Sequence, residues 1–200
     1  MSRLQYSKAS LHKQSALLKR YRQYLPSLDL KRQQLIAERA KAMKQMRATQ
    51  QQIEQTLQFV RDNLPMLADE NIKLAELVAV NDIRIEQENR VGVEIPRLAD
   101  IDISEKAYSF FCKPHWVDLY VRKLKEMLTL KIQLQVERRR LELLDHAVKK
   151  VTQRVNLFDK ILIPKAEKNI RKIRIFLSDS ERAAVIRAKI TKQKRLRHAS

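Results

Sequence analysis

Between Leu141 and Leu177 the apolar side chains fall on one line: Leu141, Leu144, Val148, Val151, Val155, Phe158 and Leu162, then Ala166, Ile170, Ile173 and Leu177. The early steps alternate three and four residues. That spacing averages one helical turn and keeps these side chains on a single narrow seam. From Phe158 to Ile170 every step is four, a stutter that locally unwinds a left-handed supercoil. Pro164 lies inside it. A proline in a helix interior removes a donor and crowds the preceding turn, at about 3 kcal/mol. The reading here is a kink or an interruption at Pro164. A long helix with so narrow an apolar face needs a partner helix.

The N-terminal third offers that partner. Its apolar positions run Leu11, Leu18, Tyr21, Leu25, Leu28 and Leu35, with Pro26 as a point of kinking or restart. After Ile36 the seam continues through Met43, Met46, Ile53, Leu57 and Val60, provided polar Gln50 takes one position. A polar residue in a seam is tolerated and sets register. The step Asn63–Leu64–Pro65 ends the element, because the residue before proline avoids helical angles. Composition agrees with a few long helices. The 200 residues include one glycine, Gly92, and turn-rich folds draw on glycine. The predicted class is all-α. A long antiparallel two-helix coiled coil forms from the two ends, giving a rod. The predicted divisions are an N-terminal helix over 1–62, a small central region over 63–115 and a C-terminal helix over 116–200.

The middle has a different rhythm. Leu74, Leu77 and Val78 allow a short helix at most between Leu67 and Ile85. Val91, Val93 and Ile95 alternate, as do Ile101 and Ile103, and alternation is the strand signal. A turn over Pro96–Asp100 would join them as a β-hairpin. Ser104 has the chemistry to cap a short helix over Glu105–Phe111, and Pro114 suits the first turn of the long helix. Ser178 and Glu181 have capping-box spacing, which permits a helix restart after Leu177.

The formal net charge is +19 and is unevenly spread: +10 over residues 1–50, −5 over 51–100, +4 over 101–150 and +10 over 151–200. Pairing the two ends gathers like charge, which the seam or an acidic partner must offset. One cysteine, Cys112, excludes an internal disulfide and fits a reducing compartment. No apolar run reaches the ~18 residues of a membrane span. The opening MSRLQYSKAS lacks the apolar core of a secretion signal. The expectation is a cytoplasmic protein without direct membrane insertion.

Catalytic signatures are missing. One glycine cannot build a phosphate-binding loop, so nucleotide hydrolysis by this chain is not expected. Cys112 and His115 have a ligand-like spacing but no second pair to complete a zinc site. Glu142, Asp145 and His146 share a helical face and read as solvated. Phe110, Phe111 and Trp116 read as local core. No metal or cofactor is expected. Arg187, Lys189, Lys192, Lys194, Arg195 and Arg197 form a basic tip with no acid after Glu181. Such a cluster can release counterions from phosphates. However, no aromatics are interleaved with it and no groove-reading motif is present. A solubilising tail is the plain alternative.

TQRVNLFDKILIP, residues 152–164, resembles the hallmark of the D subunits of V-type and archaeal A-type rotary ATPases. The matching residues are Arg154, Val155, Asn156, Asp159, Ile163 and Pro164; Asp159 stands where glutamate is usual. NIRKIRIFLSDSERAAVIRAKITKQK is similar to the family's C-terminal helix, and ENRVGVEIP, with Gly92 and Pro96, to its central segment. LDLKRQQL resembles its first helix, while YLPSL with Pro26 departs from the commonest version. The resemblance covers nearly the whole chain.

The resemblance implies a central rotor shaft without catalytic residues. It would couple ATP hydrolysis or synthesis in a surrounding ring to ion movement through the membrane by rotation. It further implies catalytic and regulatory ring subunits around the tip. The F subunit and a funnel-shaped subunit leading to the membrane ring would bind lower down. The location would be peripheral, on the inner face of the membrane. The alternative reading is a basic coiled-coil scaffold or a nucleic-acid-binding protein.

Overall fold

The computed structural model of the chain describes residues 4–68, 74, 77–106 and 114–198, most of them helical. Helix α1 spans Lys8–Asn63, a 3-10 turn spans Pro65–Ala68, strands β1 and β2 span Val78–Arg90 and Val93–Glu105, and helix α2 spans Trp116–Leu157. A π turn over Phe158–Leu162 leads directly into helix α3, Ile163–His198. Phe110, Phe111 and Cys112 lie outside the described residues.

Local chemistry sets the helix ends. Ser7 caps α1: its Oγ accepts from Ser10 N–H at 3.1 Å, which satisfies one of the free donors of the first turn. At the other end Asn63 Nδ2 donates to Phe59 O at 2.9 Å, and Pro65 begins the 3-10 turn. Pro26 lies within α1, which neither stops nor restarts there. Ser27 Oγ bonds Tyr24 O at 2.9 Å beside it. Helix α2 begins at Trp116, two residues after Pro114. Helix α3 likewise runs through Ser178 without a restart.

The strands correct the sequence reading in three ways. The hairpin turns at Val91–Gly92, not at Pro96–Asp100, and β1 occupies the end of the stretch read as a short helix. Ser104 and Glu105 belong to β2 rather than to a helix start. Val91 and Gly92 have φ of 55° and 73°, as a two-residue type I′ turn requires. Asn89 Oδ1 accepts from Gly92 N–H at 2.9 Å and braces the turn. A β-branched valine is an unusual occupant of the left-handed region. The Asn-Gly or Asp-Gly signal for this turn is therefore missing. The pairing is antiparallel, with Ile85 opposite Leu98, Gln87 opposite Pro96 and irregularities between Val80 and Asp82 and between Arg84 and Ile85. In a two-stranded sheet both strands are edges, so Pro96 is accommodated.

The chain divides into two units. The first comprises residues 1–32 and 150–200, the second 33–149. In the second, Leu64, Leu77, Trp116, Val117 and Val121 form a buried cluster at the hairpin's base. Glu105 accepts from Lys125 Nζ at 3.2 Å beside it.

Candidate functional site

The motif and the seam expected to carry function lie mostly in the first unit. There Val151, Val155, Ala166, Ile170 and Ile173 are buried, and Phe158, Leu162 and Leu177 are half-buried. Tyr21 from α1 meets the Phe158 ring edge-on at 5.4 Å, and Tyr6 meets Phe176 at 5.0 Å. Arg22 pairs with Glu167 at 2.6 Å and Lys8 with Glu181 at 3.6 Å. As residue number rises along α1 it falls along the facing segment, so in this unit the two run antiparallel.

The chain stays helical through Pro164. Ile163 N–H bonds back to Phe158 O, closing a π turn over Phe158–Leu162. Three steps of four hold one residue more than a three–four alternation supplies. A π turn is the local form that houses such an extra residue. Of the motif residues, Val155 is buried and Ile163 half-buried, whereas Arg154, Asn156, Asp159 and Pro164 are exposed. From Asp179 to Arg195 every residue is exposed, including Arg187, Lys189, Lys192, Lys194 and Arg195; Arg197 belongs to the same helix.

The second unit carries the rest of both helical faces. Leu144 is fully buried, and Leu141 and Val148 are half-buried. On α1 the buried positions are Leu35, Ala42, Thr49, Ile53 and Thr56. Gln50 and Leu57, expected in the seam, are exposed. Threonine wins because its hydroxyl can turn back to the carbonyl four residues earlier and leave its methyl to pack. Thr56 Oγ1 donates to Gln52 O at 2.9 Å, while the single hydroxyl proton of Thr49 is shared between Gln45 O at 3.3 Å and Glu137 Oε1 at 3.1 Å. The recoverable signal was the seven-residue spacing of Leu35, Ala42, Thr49 and Thr56.

Polar groups here act as struts. Glu137 Oε1 accepts from Thr49 Oγ1 and from Gln133 Nε2, each at 3.1 Å. Asp145 pairs with Arg39, and Glu142 with Arg139 at 3.0 Å. On this face Glu142 and Asp145 are thus ion-paired, and Glu142 and His146 are exposed. A cavity of about 460 Å³ is lined by Thr49, Gln52, Pro96, Arg97, Glu137 and Arg140, among others. Glu38, one turn before Ala42 on α1, is half-buried. The hydrogen bond from Lys41 holds its carboxyl below the usual range; burial opposes this, and the charges of Lys41, Arg90 and Arg140 add to it. Gly92 lies at the hairpin turn and Pro96 within β2. Among the described residues no cluster of His, Cys, Asp and Glu is arranged to hold a metal ion.

Long helices with a buried face and an exposed basic end describe a component of a larger assembly better than a free-standing domain. Residues 10–193 match the family of ATP synthase D subunits. The D subunit of the V-type ATP synthase of Borreliella burgdorferi is 33% identical over 195 residues, covering 96% of this chain and 95% of that protein. Those of Chlamydia felis and Chlamydia pneumoniae are each 31% identical, over 198 and 193 residues, covering 96% and 94% of this chain and 94% and 91% of theirs. The chain belongs to the family of ATP synthase D subunits.

Proposed function

We propose that this chain is the central-stalk shaft of a V-type ATP synthase, coupling nucleotide turnover in a surrounding ring to ion translocation by rotation. The observation that carries the reading is the family match from residue 10 to residue 193. The antiparallel order of cross-helix partners within each unit supports an antiparallel two-helix coiled coil made from the N- and C-terminal segments. In this reading residues 1–62 and 116–200 form the coil and 63–115 the central region.

The physics of the role is differential contact. One asymmetric shaft in a threefold ring touches three otherwise equivalent sites unequally, so each site is biased toward a different conformation. By reciprocity, a change at a site biases the shaft's angle. The shaft needs stiffness and asymmetry and supplies no catalytic residue of its own. The catalytic and regulatory subunits surround its tip, and the F subunit and the funnel-shaped subunit bind below. Its place is peripheral, on the inner face of the membrane. Among the described residues no helix is long and apolar enough to cross a membrane.

The basic tip is read as a diffuse contact with acidic or carbonyl-rich loops of the ring. Exposed pairs are each worth about 0–1 kcal/mol, which suits a part that must turn without stalling. Reconstitution tests the reading. A complex assembled without this chain should lose ATP-driven ion uptake, and adding the chain should restore it. Uptake that persists without the chain sinks the proposal.

A further inference from the structure

The helix that carries the motif changes pitch at one place. Phe158–Leu162 is closed by a bond from Ile163 N–H to Phe158 O, and Pro164 follows at once. The i→i−5 bonds of a π turn are rare and occur as single turns inside α-helices. Pro164 has no N–H, so a carbonyl of the preceding turn loses its intrahelical donor. Packing compensates only in part, through half-buried Phe158, which meets Tyr21 edge-on, and half-buried Leu162. None of the five residues of the turn is buried, and Asp159, Lys160 and Ile161 are exposed. On either side the helix is held tightly. Val151 and Val155 are 7% and 6% exposed before the turn, and Ala166, Ile170 and Ile173 are 3%, 7% and 0% exposed after it. Weak hydrogen bonding and weak burial therefore coincide in one turn between two well-buried stretches.

We propose that Phe158–Pro164 is a torsional joint, the point where this helix yields first when twisted. A load is taken up there by opening of the π-turn bonds, while the buried flanks stay rigid. The joint cannot simply close. Its extra residue keeps Ala166, Ile170 and Ile173 on the buried side. Converting the turn to α with no residue removed would swing that face by about 100°, one residue's rotation at 3.6 residues per turn. Burial of those side chains opposes that swing, so the joint is elastic rather than a switch between two states. The functional value of the inference rests on the stalk reading, in which such a joint stores twist between power strokes.

Amide hydrogen exchange on the full chain tests the joint without any partner. Amides of residues 158–163 should exchange at least about tenfold faster than those of 151–155 and 170–173, as expected of a locally opening segment. Equal protection overturns the proposal. A second test joins Pro164→Ala to deletion of the exposed Lys165. This restores both the missing N–H and the three–four alternation. In the assembled complex, with a bead attached to the shaft, the variance of the resting angle should fall about twofold if the joint holds half the shaft's compliance. A variant that assembles and turns with unchanged variance sinks the joint and leaves the stalk reading intact. If even the natural chain fails to assemble, the stalk reading falls, and exchange on the free chain still decides the joint. Should the variant alone fail to fold, the same exchange measurement decides.

Discussion

The two units bury their helical faces with different kinds of side chain. In the first, the C-terminal segment supplies Val151, Val155, Ala166, Ile170 and Ile173, while the cross-helix ion pairs Arg22–Glu167 and Lys8–Glu181 stay at the exposed margins. In the second, α1 buries Ala42, Thr49 and Thr56 alongside Leu35 and Ile53. A carboxylate, Glu137, reaches in to meet Thr49. The first arrangement depends on apolar area removed from water, at about 25 cal/mol per Å². The second adds hydrogen bonds whose loss leaves a partner stranded. The same change of polarity should therefore cost different amounts in the two places.

Val155→Asp should give the largest effect. It sets an unpaired carboxylate into the aliphatic seam and should destabilise the chain by more than about 3 kcal/mol, read as a drop in the thermal unfolding midpoint. Unchanged stability would mean the seam is not the main source of cohesion in the first unit. A pair of substitutions sharpens the contrast in the second unit. Thr49→Val strips Glu137 of one donor and should cost about 1–3 kcal/mol. Thr56→Val removes a hydroxyl bonded within its own helix and should stay within about 0.5 kcal/mol. Equal effects at the two positions, measured by urea denaturation, would show that the Glu137 strut carries no weight.

The smallest effect concerns Glu38. Its carboxyl is lowered, first by the Lys41 hydrogen bond. It therefore contributes stability above its unfolded pKa and loses that contribution as pH falls through the lower folded value. Lys41 is 70% exposed, so the contribution is about a few tenths of a kcal/mol. Glu38→Gln should flatten the acid limb of the stability profile slightly and leave neutral-pH stability nearly unchanged. An acid limb identical to the parent's would show that Glu38 contributes nothing there.

What the sequence made legible follows from these same residues. Aliphatic side chains announce themselves, and the spacing from Leu141 to Leu177 marks positions that are buried or half-buried. Threonine does not announce itself, because its polarity is cancelled by a bond to its own backbone; hydropathy pointed to Gln50 and Leu57 instead. The hairpin was visible as alternation, but its turn was hidden because Val91 occupies a conformation usually left to Asn, Asp or Gly. In sequence, Pro164 predicts a break or kink. The missing N–H and the extra seam residue are separate irregularities in sequence, and in the structure both fall at one π turn. The basic tip is legible as charge, and its side chains from Arg187 to Arg195 are exposed.

Beyond Glu181 helix α3 continues to His198, and from Asp179 to Arg195 its side chains are all exposed. An isolated helix of this size is marginal in water because starting its first turn is costly, whereas lengthening an existing helix costs little. Here the start has already been made upstream, within the packed part of the first unit. The segment's exposed turns can therefore be lost and regained without waiting for a new nucleation. Its helix content on warming should decline gradually, ahead of the cooperative melting of the packed seam. Any neighbour that lays a wall along it would favour the helical form one turn at a time.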